Sequence, residues 1–485
     1  MIRFRMFLCL AMLTVLTMQT GYSQQCNCLS NLEWVKKTFE ENDAGYKYIL
    51  NKKGEVAYAT HNEKFFKQAR EITSKDSCSF MLYQWLRFFR KGHIGIESIA
   101  SSGNNAQIDT AAIIRQYRNS DSLVVALPAF EKYLQNKKNQ DYEGIWTKPG
   151  LKVGIKKVGN EYLGFVIEAD GVYWRKGQIK MRINPEGSTW YNKDHSITKD
   201  TMVRMVGNNH FEIPGLTLTR ISPVLPDTKE EAMAYKLLNA QKPFVEELNS
   251  NTLILRIPSF NISEKHAIDS VIAANRERIL HIENLIIDIR YNGGGSDNSW
   301  AQIIPLIYTN PIREVGLQFL STPLNNNRIL SLSTSPEFAG FDEKVKQWAK
   351  RSYDTLQKHV GEFVNLDSTI VSITKFDTVY PYPKHVGIII NNENGSSAEQ
   401  FLMDARQSRK VKLYGTSTFG SLDMSNVNVV NNPCNEFKLW YSMSKSYRIP
   451  DMVIDDIGLQ PDFFIDSSIP WYMWVDYTSE ISDPF

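Results

Sequence analysis

Four short apolar runs constrain the fold of this chain more than any other feature: "TLILRI" at 252–257, "NLIIDIR" at 284–290, "HVGIII" at 385–390 and "VKLYG" at 411–415. A strand covered on one face alternates apolar and polar residues, whereas a nearly continuous run is covered on both faces. The intervening "EKHAIDSVIAANRERIL" and "SAEQFLMDARQ" carry apolar residues at helical spacing. Residues 225–485 therefore read as an α/β unit with a mostly parallel sheet between helices. In such sheets the loops after strand C-termini form sites. Two loops stand out: "YNGGGSDN" and "NNENGSSAEQF".

Upstream the pattern changes twice. Residues 24–140 are helical in period, as in "LEWVKKTFEEN" and "CSFMLYQWLRFFRK", and the second run stops at "KGHIGIES", where Gly92 can end a helix and "IGI" starts a strand. Residues 141–224 carry short alternating runs broken by Gly, Asn and Pro, which predicts a small all-β module, a meandering barrel or sandwich. The alternative is a PDZ-like module, suggested by "YLGF" at 162–165.

Residues 1–23 show a basic n-region (Arg3, Arg5), an apolar stretch from Met6 to Met18 and a small-residue end, Gly21-Tyr22-Ser23. That tripartite pattern predicts a secretory signal peptide and an exported, periplasmic or extracellular protein. No second long apolar segment follows, so no integral membrane span is expected. A net charge of +2 with dispersed Lys and Arg argues against nucleic acid as a partner. Cys26, Cys28, Cys78 and Cys434 remain after the leader, with three fully paired connectivities open to them. No Cys/His cluster has zinc-ligand spacing, so no metal is expected.

Ser396 in "NGSSAEQF" starts an S-x-x-E capping-box pattern with Glu399, which also suits a nucleophile lifted to a helix N-terminus. Gly293-Gly294-Gly295 permit a tight turn that can aim N–H groups at an oxyanion, and no phosphate-loop lysine accompanies them. Asn394-Gly395-Ser396 also spells a glycosylation sequon, discounted because a glycan there would block the site.

Taken together, "TLILRIPSF", "LIIDIRYNGGG", "HVGIIINNENGSSAEQF", "LYGTSTFGS" and "IDDIGLQPD" resemble, in content and order, the tail-specific or C-terminal processing serine peptidases and their tricorn-like relatives. The resemblance covers about residues 252–466. It implies a ClpP/crotonase-like catalytic domain, here with an N-terminal helical segment and an inserted small all-β module. It also implies that Ser396 is the nucleophile. The lysine base of one branch would follow "TFG", where this chain has Ser421. The histidine of the tricorn-like branch matches His93 in "RKGHIGIES", although Lys91 and Ile94 replace the usual Asp and Thr. An imidazole near neutral pKa suits that task. For the acid that orients His93, the position before "GxxPD" matches Asp455, with Asp456 as the alternative. The expected oxyanion donors are the N–H of Ser397 and that of Gly294 or Gly295.

The function that follows is a serine endopeptidase acting through an acyl-enzyme on protein or peptide substrates, with no cofactor. The rival is a non-catalytic protein on the same scaffold that binds peptides or lipophilic ligands. Nothing in the sequence specifies an oligomeric state.

Overall fold

The computed structural model describes residues 26–99, 110–137, 141–148, 150–193, 195, 197–200, 203–213, 216–338 and 343–482. The leader expected at residues 1–23 lies outside them.

The four apolar runs form one parallel sheet. Thr252–Arg256, Asn284–Asp288, His385–Ile390, Val411–Gly415 and the short Phe463–Phe464 lie side by side in parallel, and Phe244–Asn249 adds an antiparallel edge. Side chains alternate between two cores, as strand geometry requires. Leu253, Leu255, Leu285, Ile287, Ile388, Ile390 and Leu413 meet the helices Lys265–Ile279 and Ser397–Ala405 on one face. Ile254, Ile286, Ile389 and Tyr414 meet Lys229–Leu238 and Trp474–Ser482 on the other. None of these strand residues is more than 2% exposed, which explains why the runs do not alternate. Truncating any one of the buried leucines or isoleucines to alanine should cost roughly 2–5 kcal/mol.

A second sheet stands beside the first and is built around the long strand Phe437–Ser446. Met424–Asn431 pairs with it along one edge, while Gly95–Ser98 and Leu317–Leu320 share the other. Leu317–Leu320 also pairs with Phe363–Val364, and the helices Pro323–Thr334 and Glu343–Leu356 are inserted between those two strands.

Gly95–Ser98 is where the N-terminal helices join the rest. Cys28–Asn42, Tyr46–Lys53, Glu55–Glu71 and Lys75–Leu86 bury Phe39, Trp85 and Phe89 in a common aromatic cluster, and the chain then enters the second sheet. Two disulfides settle the pairing. Cys28–Cys78 ties the first helix to the fourth, and Cys26–Cys434 ties the start of the described chain to the turn after Met424–Asn431.

Residues 144–222 contribute nine strands to a single antiparallel sheet. The helix Leu127–Gln135 lays Phe130 and Leu134 on Ile145, Leu163 and Phe165, while Trp146, Val153, Ile155 and Met181 form the opposite core. "YLGF" lies inside Glu161–Glu168, which is paired on both sides, so that strand is not an open edge.

Candidate active site

The strand His385–Ile390 hands over to the helix Ser397–Ala405 through a turn held by its asparagines. Asn394 Oδ1 accepts the N–H of Asn391 at 2.7 Å, and its Nδ2 donates to the carbonyls of Ile289 and Asn292 at 2.5 and 3.0 Å. Asn394 is fully buried, so the sequon offers no amide to a glycan. The turn delivers Ser396 at φ 56°, ψ −126°. A non-glycine residue in that region costs about 1–3 kcal/mol and is held there by its surroundings.

Glu399 is the holder. Its buried carboxylate accepts the N–H of Ser396 (3.2 Å), Gly420 (2.8 Å) and Ser421 (2.8 Å) and the hydroxyl of Thr418. Burial raises its pKa while these four donors oppose the rise. Glu399 thus supplies its half of the expected capping box and also fastens the serine turn to the "TFGS" loop. Its own N–H donates to the Ser396 carbonyl at 2.8 Å.

The glycine loop closes over the same turn. A Cβ on Gly294 would lie 2.5 Å from the Gly395 carbonyl oxygen, 2.8 Å from Ser397 N and 3.0 Å from Ser396 Cβ, and Gly294 has φ +100°. Only glycine permits that approach. The two oxyanion candidates in this loop now separate. Gly294 N–H donates to Asn292 Oδ1 at 3.0 Å, which commits it, whereas Gly295 lines the cavity in front of Ser396. Ser397 lines it too; its hydroxyl donates to Asp297 Oδ1 at 2.5 Å and accepts from Trp300 Nε1 at 3.2 Å. The Ser397 N–H, in the first turn of its helix, has no intrahelical partner.

His93 reaches the cavity from the N-terminal segment, at φ 53°. Its Nδ1 lies 2.5 Å from the Met424 carbonyl oxygen. A carbonyl only accepts, so Nδ1 carries the hydrogen and Nε2 keeps its lone pair. Burial lowers the His93 pKa and the Arg90 charge lowers it further, against the Met424 bond. Arg90 also grips the loop: its Nε donates to Gly92 O and its Nη2 to His93 O, while the guanidinium forms a buried pair with Asp43 and reaches Ser442 Oγ.

The carboxylates differ from the expected arrangement. Asp455 accepts the N–H groups of Leu422 (2.7 Å), Asp423 (2.7 Å) and Met424 (3.2 Å). Its two oxygens are occupied by backbone, and it meets His93 only through the Met424 residue whose carbonyl holds the imidazole. Burial and the neighbouring Asp423 raise its pKa to about 7. Asp456, at φ 67°, accepts Lys91 N–H at 2.9 Å and so steadies the histidine loop from its other end. Among the described residues neither acid is hydrogen-bonded to the imidazole.

His93, Gly295, Ser396 and Ser397 line one cavity of about 600 Å³, and so do Leu317, Phe319, Ile329, Leu332 and Trp348, whereas Asp455 and Asp456 do not. No cluster of three or more His, Cys, Asp or Glu that could hold a metal occurs among the described residues. Sequence reasoning missed Met424, Arg90 and the helix pair that carries Ile329 and Trp348. The tethering role of Glu399 was also missed, though its spacing from Ser396 was visible.

The model of peptidase family S41 matches residues 251–465, which hold the glycine loop, the serine turn and Asp455 but not His93. No curated protein matches the sequence. Among solved structures, mature CPAF complexed with lactacystin is 13% identical, with 94% of this chain and 97% of that chain covered and a TM-score of 0.52. Mature CPAF is 12% identical over 94% and 96%, with a TM-score of 0.50. At such identities the likeness is one of fold. Residues 251–465 match peptidase family S41, and that match supports a serine peptidase of the tail-specific, C-terminal processing kind.

Proposed function

We propose that the protein is an exported serine endopeptidase in which Ser396 is the nucleophile and His93 the general base, as in the tricorn-like branch. Ser396 Oγ attacks the scissile carbonyl and His93 Nε2 takes its proton. The N–H groups of Ser397 and Gly295 stabilise the oxyanion, and His93 returns the proton to the leaving amine. Water then repeats the sequence on the acyl-enzyme. Asp455 acts through the Met424 backbone rather than on the imidazole.

The observation that carries this reading is the shared cavity: Ser396, strained at positive φ on a helix N-terminus, lines it together with a histidine whose Nδ1 is tied to a carbonyl. No helix among the described residues is long and apolar enough to cross a membrane, and two disulfides are compatible with an oxidising compartment. A serine-directed phosphonate should label Ser396. Ser396→Ala and His93→Ala should each lower peptide hydrolysis by roughly 10⁴- to 10⁶-fold with circular dichroism unchanged. Ligand uptake without labelling would assign the scaffold to binding instead, and turnover unaffected by Ser396→Ala would remove Ser396 as the nucleophile.

A further inference from the structure

A guanidinium carries five N–H donors, and burying it with donors unmet is costly. The buried arginines of this protein illustrate the rule. Arg90 has the Asp43 carboxylate, two carbonyls and a hydroxyl, and Arg290 has the Asp288 carboxylate and the Trp471 carbonyl. Arg448 differs. It is 7% exposed, its Nη2 reaches Leu422 O only at 3.5 Å and Asp423 Oδ1 at 3.4 Å, and its Nε is buried with no hydrogen-bond partner among the described residues. Asp423 is not a dedicated counter-ion, because its Oδ2 accepts the N–H groups of Ile454 and Asp455 at 2.6 and 2.8 Å.

Arg448 lines the same cavity as Ser396 and His93. The other arginine there, Arg328, sits 3.6 Å from Glu337 and 4.8 Å from the Phe338 ring, with its side chain 26% exposed. An incompletely satisfied buried cation in the cavity of the reacting serine, which Leu317, Phe319, Ile329, Leu332 and Trp348 also line, fits a ligand that bears one carboxylate on a partly apolar body.

We propose that Arg448 is a specificity-determining residue that binds a substrate carboxylate, either the free C-terminus of a peptide or an Asp or Glu side chain near the scissile bond. The inference rests on the peptidase reading, so its test uses binding as well as turnover. One apolar peptide is made with a free or an amidated C-terminus, and each form with Glu or with Gln beside the cleavage position. Dissociation constants are measured against full-length Ser396→Ala protein by fluorescence anisotropy, and kcat/KM against the wild type.

The expected result is at least about tenfold tighter binding for one carboxylate source over its neutral counterpart. A free-versus-amide difference identifies the C-terminus, and a Glu-versus-Gln difference identifies the side chain. Adding Arg448→Gln should bring that ratio near one, whereas Arg328→Gln should preserve it. Arg448→Lys, which keeps the charge but loses the fork, should give an intermediate ratio and serves if the glutamine variant does not fold. Equal binding of all four peptides, no binding of any, or a preference that survives loss of Arg448 would each overturn the assignment. Failure of the wild type to hydrolyse any peptide would instead overturn the peptidase reading and leave the binding ratios readable.

Discussion

The carbonyl of Met424 holds the proton of His93 on Nδ1, and Asp455 holds Met424 by its N–H, so the acid influences the base through one residue of backbone. This indirect link predicts a smaller effect than a direct triad contact, whose disruption costs about 10⁴ in kcat. Asp455→Asn puts an amide NH₂ against N–H donors that now face carboxylate oxygens. It should lower kcat by roughly 10- to 100-fold through a displaced imidazole, with KM changed less than about threefold. A 10⁴-fold loss would restore Asp455 as a direct partner. The pH profile separates the two groups. His93 is a base only when neutral, and its pKa lies below the ordinary 6.5, so its limb falls on the acid side of that value. Asp455, raised to about 7, accepts fully from three N–H groups only when ionised, which adds a second loss of rate as pH falls through 7. Asp455→Asn should remove that upper limb and keep the lower one; an unchanged profile would show that Asp455 does not govern the base. Ser396 and His93 could be named as candidates from the sequence because their side chains are the signal, and both line the one cavity. Met424 was not, since every residue carries a carbonyl and only the fold selects one.

At the scale of elements, the site depends on how closely the loop after Asn284–Asp288 approaches the loop after His385–Ile390. Gly294→Ala would force a Cβ within 2.5 Å of the Gly395 carbonyl oxygen at φ +100°, and either the serine turn or the glycine loop must shift. The expected outcome is a fall of about 10²- to 10³-fold in kcat/KM, comparable to loss of an oxyanion donor, with far-UV circular dichroism retained. A variant with wild-type kcat/KM would show that the loops have slack the geometry does not suggest. The parallel sheet was readable because Ile286 and Ile389 are buried as completely as Leu285 and Ile388, leaving no polar alternation in the strands. The glycine loop was readable as a turn, but which glycine faces substrate depends on Asn292 reaching back to Gly294 N–H, a contact between side chain and backbone that composition does not encode. The helices Pro323–Thr334 and Glu343–Leu356 were equally hidden. Their placement follows from the pairing of Leu317–Leu320 with Phe363–Val364 across the insertion, a long-range register that local periodicity does not report.

For the whole molecule, the reading of His93 as base makes the S41 domain incomplete by itself, because residues 251–465 hold Ser396 but receive His93 from the N-terminal segment. The links that join the two parts include the pairing of Gly95–Ser98 with Phe437–Trp440, the Asp43–Arg90 pair that also touches Ser442, and the Cys26–Cys434 disulfide. They should contribute differently. The disulfide closes a separation of 408 residues but lies at the far end of the helices, so it constrains the unfolded chain more than the histidine. Cys26→Ser/Cys434→Ser should lower unfolding free energy by roughly 2–4 kcal/mol, with kcat at 25 °C within about twofold. Asp43→Asn leaves Arg90 buried without its counter-ion, which costs about 3–5 kcal/mol. Because Arg90 also donates to the carbonyls of Gly92 and His93, kcat should fall at least about tenfold at temperatures where the variant is still folded. Denaturant titration alongside single-turnover kinetics checks both variants. If the serine double variant stays folded yet loses turnover while Asp43→Asn keeps it, the disulfide positions His93 and the ion pair only stabilises the fold.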